Sequence, residues 1–266
     1  MKRILTALLL IPPLLYILLW APPWAFLILA TMASFAAVHE ILGIAKRHQF
    51  SLYRPVCYAG TAVAIASFYP AFPGGMWWSL LLVPAVGLAA VWRGAPGPKT
   101  LSEISGTVLT VIYIGLSAGS AVGLRLISPD YLGRSWVFFV LLVITLGDTG
   151  ALYTGRAIGR HRLAPNISPK KTVEGLIGGT VASVAAAVAF GILVIPGLDV
   201  PRAVILGLVL GLLGVVGDLF ESLLKRSVDI KDTSSIFPGH GGILDRIDSL
   251  LFAAPALLLY VRFFHP

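Results

Sequence analysis

The chain has 266 residues, of which 57% are hydrophobic and only 12% charged, and its mean hydropathy is +0.90. Soluble domains carry about 25% charged residues, so a water-soluble globular protein is excluded. The net charge of +8 therefore belongs to loops beside a membrane rather than to a nucleic-acid surface, and no nucleic-acid partner is expected.

Apolar runs of roughly 17–25 residues recur along the chain, each long enough to cross about 30 Å of hydrocarbon. They predict an all-α, polytopic integral membrane protein of about nine transmembrane helices, at 4–20, 24–44, 56–72, 77–92, 104–127, 135–155, 173–196, 202–224 and 246–264. The first run follows Met1-Lys2-Arg3, has no small-x-small cleavage site and is broken by Pro12-Pro13. A retained helix, kinked at the prolines, fits it better than a signal peptide. The lone Cys57 excludes an intramolecular disulfide.

Residues 1–100 read as scaffold helices and lipid-facing wall, and 101–266 as the catalytic region. In the first part, His39 and Glu40 near the end of the second span read as snorkelling or helix-pairing groups. Trp20, Trp24, Trp77, Trp78 and Trp92 sit where an interfacial aromatic belt is expected.

With a cytoplasmic N-terminus, sixteen of the 20 Lys and Arg residues fall on the cytoplasmic side. Only Arg125, Arg134, Arg202 and Arg262 fall on the other. That bias sets the orientation and favours an odd number of spans, which leaves the C-terminus on the opposite face.

Chemistry begins at Asp148, a carboxylate inside the sixth apolar run that must face protein or water. Gly147, Gly150 and Gly155 around it permit close approach of a helix or a ligand. The following loop offers Arg156, Arg160, Arg162, Lys170 and Lys171 to anions. Ser168-Pro169-Lys170-Lys171-Thr172 reads as the approach to the seventh helix, whose N-terminus could itself hold a phosphate.

The densest chemistry lies in 218–248, which holds six of the 12 acidic residues: Asp218, Glu221, Asp229, Asp232, Asp245 and Asp248. At about 100° per residue, Gly207, Gly211, Gly214, Asp218, Glu221, Ser222 and Lys225 share one helix face. The glycines form a packing seam that turns acidic and then basic, and a Glu221–Lys225 ion pair leaves Asp218 unexplained. A loop through His240-Gly241-Gly242 leads to a helix opening on Asp245 and Asp248. Hard oxygen ligands beside basic residues point to Mg²⁺ shared with phosphate, a second cation being allowed. Asp218 and Asp245 are the first choices as ligands, with Glu221 and Asp248 as further candidates. No Ser-His-Asp arrangement, Asp-Asp-x-x-Asp motif or Asp-Gly-x-x-Ala-Arg run is present.

Ser222, Lys225, Arg226, Lys231, Asp232, His240, Gly241, Gly242, Asp245, Arg246 and Asp248 fall at the spacing of a known signature, and here the sequence resembles the phosphatidate cytidylyltransferase (CDP-diacylglycerol synthase) family. The stretches GDTGALYTGR and SPKKTVEG upstream are similar to that family as well. The resemblance implies transfer of a cytidylyl group from CTP to phosphatidate, giving CDP-diacylglycerol and pyrophosphate for phospholipid biosynthesis. It further implies a divalent metal between Asp218 and Asp245, and a homodimer in the cell (inner) membrane. Lys225 and Arg246 then join the two aspartates as catalytic candidates. Ser222, Arg226, Lys231, His240, Gly241, Gly242, Asp148, Lys170 and Lys171 become candidates for binding CTP from the cytoplasm or phosphatidate from the surrounding membrane lipids. A CTP-dependent lipid kinase, and more distantly a cation transporter, are the alternatives.

Overall fold

The computed structural model describes residues 12–230, 233 and 241–265. They divide into two compact units, Met1–Leu126 with Ser227–Arg246, and Ile127–Arg226 with Ile247–Pro266. Among the described residues, seven helical stretches are long and apolar enough to cross a membrane, so the all-α membrane architecture stands.

The first unit contains α1 (Pro23–Arg47), α2 (Arg54–Ala66), a 3-10 turn (Gly75–Leu81) leading into α3 (Leu82–Arg93), and α4 (Thr100–Thr110). A wider π segment (Val111–Leu116) joins α4 to α5 (Ser117–Arg125). Prolines open α1 and α2, where the missing N–H has no helical partner to lose. Gly94, at φ +60°, closes α3 in a conformation costly for other residues. Arg93 donates to the Ser51 carbonyl and to Glu103, both at 2.8 Å, and Lys99 donates to the Gln49 carbonyl at 3.3 Å. The ends of α1 and α3 and the start of α4 therefore meet at one end of the unit. Arg125, at the far end of α5, is fully buried and donates to the Ala21 carbonyl at 3.1 Å.

Seven of the nine predicted spans are found among the described residues, and the count of nine is not confirmed. The first predicted span, 4–20, lies partly outside the described residues, with 12–19 helical. The third, expected over 56–72, is a 13-residue helix ending at Ala66. At 1.5 Å per residue it rises about 20 Å, short of a full crossing. Tyr69-Pro70 and Pro73-Gly74-Gly75 explain the stop. Proline cannot continue the hydrogen-bond ladder, and both glycines hold positive φ.

The second unit contains α6 (Asp130–Ile158), an antiparallel hairpin of β1 (Arg162–Ala164) and β2 (Ser168–Thr172), α7 (Val173–Val194), α8 (Val200–Arg226) and most of α9 (Leu244–Phe264). The hairpin corrects the reading of Lys170 and Lys171 as loop residues at a helix start, because both lie on β2. Helix α7 begins only at Val173, with Thr172 as its cap, accepting the Gly175 N–H at 3.1 Å.

Glycines bring α6, α7 and α8 together. A Cβ added at Gly150 would lie 2.6 Å from Ala182 Cβ, one at Gly179 2.8 Å from the Gly147 carbonyl, and one at Gly207 2.6 Å from Val184 Cα. Ser183, between the helices, donates to the Val143 carbonyl at 3.1 Å. Of the glycine seam read from the sequence, Gly207 meets the backbone of α7 and Gly211 the Ser183 side chain, whereas Gly214 has only ordinary contacts with side chains. Gly207→Ala should lower stability by about 1–3 kcal/mol in thermal unfolding of the micelle-solubilised protein. Gly43→Ala, with nothing within 4 Å of the added carbon, should leave it unchanged or raise it.

Candidate active site

Four chain segments deliver polar groups to one end of the second unit. Along β2, Pro169 and Lys170 are exposed, Lys171 is half-buried and Thr172 is buried. Lys171 Nζ reaches Asp218 Oδ2 on α8 at 2.7 Å. Ser222, one turn along α8, donates to the other Asp218 oxygen at 3.4 Å. Asp148 from α6 and Asp248 from α9 both interact electrostatically with Asp218 and Lys171. Two of the acidic groups that the sequence leaves far apart, Asp148 and Asp218, thus share one lysine with Asp248.

The approach of α9 depends on Gly217, where an added Cβ would stand 2.5 Å from the Asp248 carbonyl. Ser249 Oγ donates to the Gly214 carbonyl at 3.0 Å, and the Ser249 N–H donates to Asp248 Oδ1 at 2.6 Å. Glu221 and Lys225 form a separate ion pair at 2.5 Å, with side chains only 1% and 12% exposed. The i, i+4 pairing expected from the sequence is therefore present, and Asp218 has its own cation. Arg226 is exposed and donates from Nε to the Ile167 carbonyl at 3.3 Å.

Asp245, Arg246 and Gly242 belong to the first unit. Asp245 Oδ2 accepts the Gly242 N–H at 2.8 Å and the Thr233 hydroxyl at 3.2 Å. Arg246 is exposed and follows it in the opening turn of α9. Gly241, at φ +74°, takes a backbone conformation that glycine favours. The candidates Lys231 and His240, and also Asp232, lie outside the described residues.

Glu40 is the residue that sequence reasoning missed. It is 2% exposed, and its two oxygens accept the Ile243 and Leu244 N–H groups, both at 2.9 Å. The Thr233 hydroxyl donates to it at 2.8 Å. A carboxylate here meets the positive end of the α9 dipole and satisfies amides that a helix start leaves open. A Cβ at Gly242 would fall 2.4 Å from Glu40 Oε2, so glycine is required there by space. The available signal was a lone acid in an apolar run; its partners, some 200 residues away, had none.

Among the described residues, no three His, Cys, Asp or Glu side chains gather closely enough to hold a metal by themselves. Carboxylate oxygens such as those of Asp218 in the second unit and Asp245 in the first are hard donors of the kind that Mg²⁺ takes.

Comparison with known proteins bears on this arrangement. The chain is 39% identical over 165 residues to phosphatidate cytidylyltransferase of Bacillus subtilis, covering 62% of this chain and 61% of that protein. It is 39% identical over 150 residues to phosphatidate cytidylyltransferase of Staphylococcus saprophyticus, covering 56% of each. It is also 39% identical over 131 residues to an uncharacterized Escherichia coli protein, YnbB, covering 49% of this chain and 44% of that one. The chain thus spans roughly half to three fifths of the length of these curated relatives. The model of the cytidylyltransferase family matches residues 1–264, almost the full length, and the chain belongs to that family.

Proposed function

We propose that the protein transfers the cytidylyl group of CTP to phosphatidate, releasing pyrophosphate and forming CDP-diacylglycerol. The Lys171–Asp218 pair, flanked by Asp148, Ser222 and Asp248, carries the proposal. It assembles charged groups where membrane-spanning helices end, within reach of both a water-soluble nucleotide and a bilayer lipid. The relatives named phosphatidate cytidylyltransferase supply the substrates. The location in the cell (inner) membrane, with N-terminus and active site cytoplasmic, belongs to the same proposal, its orientation supported by the bias of Lys and Arg among the loops. The homodimer belongs to the same proposal through the family resemblance.

An oxygen of the phosphatidate phosphomonoester attacks the α-phosphorus of CTP. The bond from that phosphorus to the α–β bridging oxygen breaks, and both electrons leave with pyrophosphate. The nucleophile is already anionic, so no side chain has to remove a proton from it. What the chain must supply is in-line positioning and charge neutralisation. Lys171 is the cation nearest the acidic cluster, and Lys170, exposed on the same strand, is placed to meet an incoming phosphate. Lys225, Arg226, Lys231 and Arg246 supply further positive charge to CTP or to the lipid headgroup, arginines in bidentate fashion. Asp218 and Asp245, each a carboxylate of its own unit, are the candidates through the family resemblance to hold Mg²⁺, which would neutralise charge on the triphosphate. Glu40 serves as a positioning residue, holding the amides that precede Asp245 and orienting its loop.

A labelling experiment and four substitutions test this reading. With CTP labelled at the α- or the γ-phosphate, only the α label should enter lipid; γ label in lipid would instead mean a CTP-dependent lipid kinase. In the same assay Asp218→Asn and Asp245→Asn should each lower turnover by on the order of 10²–10³-fold, and near-normal turnover in either sinks its assignment. Glu40→Ala should reduce kcat by roughly 10–100-fold, as loss of a supporting contact does, with KM for CTP changing less. Glu40→Gln, which keeps one acceptor oxygen, should recover part of the rate. Equal, full activity in both variants would remove the positioning role.

A further inference from the structure

We propose that the first unit carries a binding site for one anionic phospholipid, in a groove between α1, α2 and α3 that the proposed reaction does not use. A cavity of about 750 Å³ opens at the end of the unit where α1 and α3 finish and α2 begins. Its mouth carries Lys46, Arg54 and Arg93, and none of its lining residues is acidic. A second cavity of about 360 Å³ shares Pro55, Val56 and Ala85 with the first and continues between α2 and α3 to Ser67 and Trp78. Together they make one groove, basic at its mouth and apolar along its length.

The charges at the mouth are not equivalent. Arg93 is committed to Glu103 at 2.8 Å and stacks 4.1 Å over the Tyr53 ring. Lys46 and Arg54 are exposed, and among the described residues neither side chain has an ion pair or hydrogen bond. Two positive groups beside an apolar wall match a lipid phosphate with an acyl chain below it. The dimensions agree: from Pro55 to Ser67 the helix rises about 18 Å, against about 15 Å for half the hydrocarbon core. Helix α3 forms an open side, with Leu88 65% and Trp92 86% exposed, so a lipid enters laterally without unfolding anything. A water-soluble anion would satisfy the mouth but leave the apolar length unfilled.

The site does not depend on the catalytic reading, and phosphatidylglycerol is a suitable probe because its phosphate is a diester. Delipidated full-length protein in mild detergent is mixed with phosphatidylglycerol or with phosphatidylcholine of identical chains, and bound lipid is counted by native mass spectrometry. The protein should retain one phosphatidylglycerol, with phosphatidylcholine retained on the order of tenfold less. The Lys46→Gln/Arg54→Gln double variant should retain phosphatidylglycerol on the order of tenfold less, as expected when two charges beside an anionic lipid are removed. Ala89→Trp, which fills the apolar part and keeps both charges, should also lower retention severalfold. Thermal unfolding of each variant at the wild-type temperature shows that the fold is intact. Wild-type retention in either variant, or equal retention of the two lipids, overturns the proposal. So does a wild type that holds no lipid but crosslinks to a second copy through Trp92→Cys, which assigns the groove to a protein interface.

Discussion

A charged or polar group placed among apolar helices has to find its partner within the chain, because hydrocarbon offers none. In the second unit Asp218 meets Lys171, Glu221 meets Lys225, and the Ser183 hydroxyl meets the Val143 carbonyl. In the first, Glu40 meets two backbone amides and a hydroxyl. Apart from the Glu221–Lys225 pair within one helix turn, each solution needs elements from distant parts of the sequence to come close. Large side chains would forbid it at Gly150, Gly179, Gly207, Gly217 and Gly242, where an added carbon would collide with a neighbouring segment. Glycine spacing and ion pairing are therefore one constraint: the glycines set the separation at which the charges reach each other.

That constraint also governs what was legible in the sequence. Apolar length located seven of the described helices, because a bilayer demands a run of nearly fixed size. Asp148 and Asp218 stood out as carboxylates in apolar runs, and the helical angle correctly placed Gly207 and Gly211 on a packing face. These signals are local, which is why they could be read. Glu40 gives the same local signal as Asp148, and snorkelling or helix pairing accounts for it from the sequence alone. Its role depends on Ile243 and Leu244, whose amides carry no side-chain signature at all.

The two structural misreadings have a common cause as well. The third apolar run has the right composition for a span, but Pro70, Pro73, Gly74 and Gly75 act on the backbone rather than on hydropathy. Lys170 and Lys171 looked like loop cations before a helix, since a five-residue strand gives a periodicity too short to distinguish. The strand matters chemically: its alternation sends Lys171 to Asp218 and leaves Lys170 exposed. A helical start would have put neighbouring side chains about 100° apart, without that division of labour.

Charge balance gives the last step. Asp148, Asp218 and Asp248 interact with one another, and Lys171 is the cation that opposes all three. Lys225 is paired with Glu221 one turn further along α8. A triphosphate brought toward such a cluster meets net repulsion, so the acids cannot serve as its binding surface alone. Under the proposed reaction their use is to hold positive charge in place: the Lys171 ammonium in the chain itself, and a divalent cation shared with the nucleotide. The same logic explains why the acids sit on helices rather than on the loop. An acid on a flexible loop would follow the cation, whereas one on α6, α8 or α9 fixes where the cation, and hence the phosphate, must be.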